Sequence, residues 1–189
     1  MTTSKKYDLL VIGGGILGLC TAMKLTQAYP AYRVAVVEKE NAVAAHQTGH
    51  NSGVIHSGLY YRPGSHKANL CVGGARELRD FCDQHSIKYD LVGKVVVATS
   101  EAELPALQTL YERGSANGVE GLQMLEPERL KEIEPHTYGT RALHCPNTGI
   151  FDYKEVTNAY ATAMHENGGD LYLDTKVHVI RRATRAMRL

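Results

Sequence analysis

A short apolar strand, a glycine-rich turn that opens a helix, and a second apolar strand closed by an acid follow one another from Tyr7 to Glu38. That order predicts an α/β fold, because a strand–helix–strand crossover joins parallel neighbours in one sheet. Tyr7 to Ile12 (YDLLVI) is an apolar run of strand length. Ile16 to Tyr29 has helical spacing, with Leu19, Ala22, Met23 and Leu25 among its apolar positions, and Pro30 ends it. Arg33 to Val37 (RVAVV) reads as a second strand buried on both faces.

The rest of the chain alternates in the same way. Asn41 to Gly64 is polar, dotted with glycine and without periodicity; loops of that length in compact domains are usually functional. Ser65 to His85 returns to helix, with Ala68, Cys71, Val72, Ala75, Leu78 and Phe81 along one face. Lys94 to Thr99 (KVVVAT) predicts a strand, and Glu101 to Asn117 a helix whose Gly118 fits a C-terminal cap. Pro127 opens a short helix over Glu128 to Glu134, which Pro135 closes. Ala142 to Cys145 predicts a strand, and Tyr153 to Asn167 a helix stopped by Gly168 and Gly169. Leu171 to Leu173 and Val177 to Ile180 complete the predicted strands. The expected organisation is a nucleotide-binding domain over 1–80, the start of a second, mixed-sheet domain over 81–150, a return to the first domain over 151–180, and a basic tail over 181–189.

Bulk properties narrow the function classes. The chain has 189 residues, 43% hydrophobic and 22% charged, as a globular domain does. With 21 basic and 20 acidic residues, it lacks the basic excess of a nucleic-acid binder. The cysteines, Cys20, Cys71, Cys82 and Cys145, form no Cys-x-x-Cys pair, which suits reduced thiols in the cytoplasm and offers no metal knuckle. His46, His50 and His56 share a glycine-containing loop rather than a helical His-Glu-x-x-His arrangement, so no metal site is predicted. Asp8 and three consecutive glycines interrupt the only segment resembling a secretory signal. No run approaches the ~20 apolar residues that a membrane-spanning helix needs.

Gly13-x-Gly15-x-x-Gly18 follows a predicted strand and opens a predicted helix, the context that a Rossmann-like dinucleotide fingerprint demands. Gly13, with Gly14 beside it, permits the tight turn. Gly15 lets a pyrophosphate approach the backbone, and Gly18 lets helix and strand pack closely. The helix N-terminus offers unpaired N–H groups and the positive end of its dipole. Glu38, followed by Lys39, ends the second strand. A carboxylate there accepts hydrogen bonds from ribose hydroxyls and repels the 2′-phosphate of NADP. These features leave FAD and NAD both open.

The loop after Glu38 reads HQTGHNSGVIHSGLYY from His46 to Tyr61. Together with GGGILG, EKE, RPGSHKA, GKVVVATS and TGIFDYKEVT, it resembles the L-2-hydroxyglutarate oxidase (dehydrogenase) family of the D-amino-acid oxidase-like flavoproteins. The resemblance runs from about Tyr7 to about Val179 and implies FAD as cofactor, with L-2-hydroxyglutarate oxidised to 2-oxoglutarate. It implies a small 2-hydroxy acid as substrate and the membrane quinone pool as electron acceptor, for a cytoplasmic protein or one peripheral on the inner membrane. Carried over by position, Gly13, Gly14, Gly15 and Gly18 hold the pyrophosphate, and Glu38 and Lys39 lie at the ribose. Thr48, His50, Asn51, Ser52 and Gly53 lie along the flavin half. Covalent attachment of flavin at His50, known in related flavoproteins, is left open.

Oxidation of a hydroxyl needs a base near neutral pH, for which imidazole is suited. His56 is the candidate, with a purely structural histidine as the alternative. Two substrate carboxylates call for cations, and Arg62 and Lys67 lie just downstream, as binding groups or as solvent-facing ones. Tyr60 and Tyr61 wall a flavin pocket or simply pack. Members of the family are longer, so the chain is expected to be an N-terminal portion with an unpaired sheet edge, its RRATRAMRL end departing from the family pattern. The alternatives are a flavin oxidase of another 2-hydroxy or amino acid and a non-catalytic nucleotide-binding remnant.

Overall fold

The computed structural model describes residues 5–182 and 187–188. In chain order the elements are β1 (Leu9–Ile12), α1 (Ile16–Ala28), β2 (Val34–Val37), β3 (Val54–Ile55), α2 (His66–Gln84), β4 (Tyr89–Asp90), β5 (Lys94–Ala98) and α3 (Leu104–Ala116). There follow β6 (Gln123–Leu125), α4 (Pro127–Ile133), β7 (Arg141–Cys145), β8 (Gly149–Phe151), α5 (Tyr153–Glu166), β9 (Asp170–Tyr172), β10 (Arg181–Arg182) and β11 (Met187–Arg188). The chain divides into two compact units: one joins the residues up to Asn51 with those from Asp152 onward, and the other runs from Ser52 to Phe151. Residues 52–80, which patterning groups with the first domain, fall in the second unit.

The first unit is built on a parallel sheet of order β1-β2-β9. Leu9 stands opposite Val34, and Ala35 opposite Asp170. Every residue of β2 is buried, which is why its sequence is an unbroken apolar run. Helices α1 and α5 pack together. Leu19, Ala22 and Met23 of α1 and Val156 and Met164 of α5 are buried. Asp152 caps α5, its carboxylate accepting the Lys154 N–H at 2.7 Å. After α5 the chain turns through Gly168 in the left-handed region (φ +83°) and Gly169, where a Cβ would lie 2.7 Å from Met164 Cγ. The glycine pair read as a helix stop therefore also fits the chain against the helix it leaves.

The second unit holds two antiparallel sheets, β5-β7-β6 and β3-β8-β4. Leu59, Ala98, Leu107 and Leu143 form one buried cluster, with Val96, Leu104, Leu110 and Tyr111 packed against it. Leu125, Leu130 and Ala142 form another. Gly118 has φ +76°, as the C-terminal cap of α3 requires.

Val177 to Ile180 does not form the expected strand: Val179 and Ile180 are exposed and have no ladder partner among the described residues. Apolar content alone does not hold an extended segment in a sheet. In the other direction, β3, β4, β6 and β8 are only two or three residues long. Pairing defines them, and no periodicity could have shown them. At the end of the chain Arg181 pairs with Arg188 and Arg182 with Met187; residues 183–186 and 189 of the basic tail lie outside the described residues.

Candidate functional site

The glycine turn of the first unit links the end of β1 to the start of α1. Gly13 has φ +109°, and its N–H donates to the Val37 carbonyl at 2.8 Å, tying the turn to the end of β2. A Cβ at Gly18 would lie 2.1 Å from the Gly13 carbonyl oxygen, so the helix can start this close to the strand only with glycine there. Gly15 is the N-cap of α1, without a side-chain cap and with no acid in the first turn. The dipole of α1 thus has no acidic side chain in that turn to offset its positive end. The Ile16 N–H donates to Thr48 Oγ1 at 3.1 Å, which brings the later loop to the helix start.

Glu38 closes the turn from the other side. Its carboxylate accepts the Gly14 N–H at 2.6 Å and the Glu40 N–H at 2.9 Å. Burial pushes this carboxyl up, and the backbone donors Glu40, Gly14 and Lys39 together outweigh it, so Glu38 titrates below the ordinary range. It is therefore an ionised acceptor beside the turn at neutral pH. Lys39 Nζ pairs with Glu40 at 3.3 Å, and His46 Nε2 meets the same carboxylate oxygen at 2.8 Å. Helix N-terminus, side-chain-free turn and adjacent ionised carboxylate fit the pyrophosphate and ribose of a dinucleotide.

The segment from His46 to Asn51 is held by its own backbone. Gln47–Gly49 forms a single 3-10 turn. His50 Nδ1 meets the His46 carbonyl at 2.8 Å, and Asn51 Nδ2 donates to the Thr48 carbonyl at 2.6 Å. A Cβ at Gly49 would lie 2.3 Å from the Ala44 carbonyl oxygen and 2.5 Å from Lys154 Cε. Gly49 is thus as tightly enclosed as Gly18. It lies outside the Gly13-x-Gly15-x-x-Gly18 spacing, so no local pattern could have found it.

In the second unit, Ser52 is exposed. Gly53 (φ +69°) would place a Cβ 2.9 Å from the Phe151 carbonyl oxygen. The His56 ring is exposed, while its carbonyl accepts from the Cys71 thiol at 3.3 Å. Ser57 and Leu59 point inward, Ser57 against Cys145 at 3.1 Å and Leu59 into the core. Asn117, at the end of α3, donates through Nδ2 to the carbonyls of Gly58 at 3.0 Å and Tyr61 at 2.9 Å. Its Oδ1 is buried without a partner in the structure. The segment from His56 to Tyr61 is therefore pinned at three carbonyls. Arg62 and Lys67 are exposed; the Arg62 carbonyl accepts from Ser65, whose hydroxyl caps α2.

The structure gathers Gly13, Gly14, Gly15, Gly18, Glu38 and Thr48 into one constellation. Lys39 stands beside it through Glu40, and His50 and Asn51 follow in the 3-10 turn. Among the described residues of the second unit no hydrogen bond or ion pair joins the His56 side chain to Arg62 or Lys67. Sequence reasoning missed Asn117, whose partners lie more than fifty residues away, and Gly49, enclosed by the nearby Ala44 carbonyl and the distant Lys154. Among the described residues no three His, Cys, Asp or Glu side chains gather as a metal site, and no helix is long and apolar enough to cross a membrane.

Fold and turn define a dinucleotide-binding α/β protein. The chain belongs to the FAD dependent oxidoreductase (DAO) family, whose model matches residues 8–189 and so takes in the basic tail; FAD is that family's cofactor. The chain is 46% identical over 181 residues to the mitochondrial L-2-hydroxyglutarate dehydrogenase of Bos taurus, covering 96% of this chain and 39% of that protein. It is 49% identical over 171 residues to the L-2-hydroxyglutarate dehydrogenase of Indibacter alkaliphilus, covering 90% of this chain and 43% of that one. Among solved structures, FAD-bound, dithionite-reduced L-alpha-glycerophosphate oxidase from Mycoplasma pneumoniae matches with a TM-score of 0.85 and 26% identity, over 96% of this chain and 48% of that one. L-proline dehydrogenase from P. horikoshii shares the fold at a TM-score of 0.82 and 23% identity, over 97% of this chain and 48% of that one.

Proposed function

We propose that this chain provides the cofactor-holding part, and the beginning of the substrate-holding part, of an FAD-dependent dehydrogenase that converts L-2-hydroxyglutarate to 2-oxoglutarate. The observation that carries the reading is the 46% identity, over 96% of the chain, to a protein of that name. In this reading the first unit is the FAD-binding unit and the second belongs to the substrate side.

FAD, when bound, supplies the acceptor for the hydride leaving the hydroxyl-bearing carbon. The chain's own residues do the rest. The turn Gly13, Gly14, Gly15 and Gly18, its first two N–H groups held by Val37 and Glu38, presents a backbone without side chains and the positive end of α1 to the pyrophosphate. Glu38, ionised, accepts from the ribose hydroxyls, with Lys39 beside it. Thr48, His50, Asn51, Ser52 and Gly53 serve the flavin half. His50 has Nδ1 occupied by the His46 carbonyl, so Nε2 is the nitrogen available to the cofactor. His56 takes the hydroxyl proton at its exposed ring, and Arg62 and Lys67 are candidate partners for the substrate carboxylates. Electrons pass on to membrane quinone or another acceptor, with the protein in the cytoplasm or peripheral on the inner membrane.

The reading is tested in a chimera in which this chain replaces the matching segment of the bovine relative. Reduction of an artificial acceptor by L-2-hydroxyglutarate is expected. In the same chimera His56→Ala should lower kcat/KM by ~10²–10⁴-fold with FAD content retained. Activity with L-alpha-glycerophosphate alone would contradict the substrate assignment, and unchanged turnover in the variant would remove His56 from proton transfer.

A further inference from the structure

The GKVVVATS motif marks the family resemblance, yet no residue of it has a role in the site described above. Its Lys94 opens β5, opposite Cys145 in β7. The side chain is half-buried, and its Nζ stands 4.5 Å from the centroid of the Tyr60 ring. Among the described residues no carboxylate pairs with it. Burial pushes the Cys71 thiol up, and the charge of Lys94 works against the rise. Cys71 in turn donates to the His56 carbonyl. Strand β5 thus meets the pinned segment from His56 to Tyr61 through Lys94 and Tyr60, and helix α2 meets the same segment through Cys71 and His56.

An aromatic face attracts a cation but does not neutralise it. A half-buried lysine of this kind lays its methylene stem along the fold and keeps its ammonium at the surface, where, without an acid beside it, it is available to an anionic ligand. Arg62 and Lys67, by contrast, are exposed. Tyr60 is itself half exposed at 49%, so the ring and the ammonium are open to a ligand from one side. We propose that Lys94, seated on Tyr60, is a further cation of the second unit that receives one of the two carboxylates of the substrate. This rests on the reading that the substrate is a 2-hydroxy dicarboxylate.

The test is titration of the isotope-labelled chain with L-2-hydroxyglutarate, followed by NMR. Resonances of Tyr60 and Lys94 should move, and Lys94→Met should raise the Kd at least tenfold while keeping the wild-type circular dichroism. Lys94→Arg should retain binding. Lys131→Met removes the other lysine set over a tyrosine in this unit, 5.0 Å above Tyr138, and should change nothing. Equal affinity in folded Lys94→Met, or no binding by the folded wild-type chain, would each overturn the proposal. The underlying reading is separated by the chimera. Turnover there with an unchanged KM in Lys94→Met rejects Lys94 alone, whereas no wild-type turnover with L-2-hydroxyglutarate rejects the substrate.

Discussion

A methyl group added at Gly18 would meet the Gly13 carbonyl oxygen at 2.1 Å, and one at Gly49 would meet the Ala44 carbonyl oxygen at 2.3 Å. Neither oxygen belongs to a flexible side chain, so the backbone must move. Gly18→Ala is expected to lower stability by about 1–3 kcal/mol and to abolish FAD binding, read by thermal unfolding and by flavin fluorescence titration. Gly49→Ala should weaken FAD binding in the same way, although only Gly18 belongs to a recognisable spacing. Asn117 is the residue least legible in the sequence. Its amide is oriented by two carbonyls more than fifty positions away, and the same orientation strands its Oδ1. Asn117→Ala should cost about 1–3 kcal/mol and increase hydrogen exchange at the amides around Gly58 and Tyr61. Unaltered exchange there would show that the segment is held without it.

At the scale of elements, legibility followed burial on both faces and capping chemistry. Strand β2 is buried throughout and reads directly as RVAVV, and the helices end at the expected Pro30, Gly118 and Gly168. The two-residue strands β3 and β4 exist only through their ladders with β8, which no local pattern encodes. The parallel sheet carries a testable electrostatic feature where β1 and β9 begin. Tyr7 donates to the Asp170 carboxylate at 2.5 Å and meets the Tyr172 hydroxyl, and Lys5 pairs with Asp170 at 3.2 Å. The Tyr7 hydrogen bond chiefly lowers the Asp170 carboxyl below its ordinary value. A lowered carboxyl stabilises the fold above its unfolded pKa of about 3.9, and that contribution is lost as pH falls through the folded value. Burial and the Asp170 carboxylate raise the Tyr7 hydroxyl. Its contribution is complete below the unfolded pKa of about 10 and declines as pH rises above it. Stability measured by urea unfolding should fall on both flanks, and Asp170→Asn should remove the part of the acid loss due to this carboxylate. An unchanged acid flank in that variant would dismiss the linkage.

Over the whole molecule, the class of protein was written in one constellation of the first unit. Three glycines, a strand on either side and a terminal acid gave the nucleotide site, because each answers a demand of the backbone or of a phosphate. The second unit was less legible: its sheets are made of short antiparallel pieces, and Lys94 gains its meaning only from Tyr60 across the fold. The boundary after Asn51 falls inside the polar loop, where composition does not change. The chain spans 39% of its bovine relative, and the constellation proposed to hold the cofactor lies in its own first unit. The most direct measurement of the central claim is therefore equilibrium titration of the purified chain with FAD and with NADP. The ionised Glu38 beside Gly14 predicts that FAD binds at least tenfold more tightly, and that Gly15→Val abolishes the FAD signal. NADP binding as tightly as FAD, or FAD binding undiminished in Gly15→Val, would contradict it.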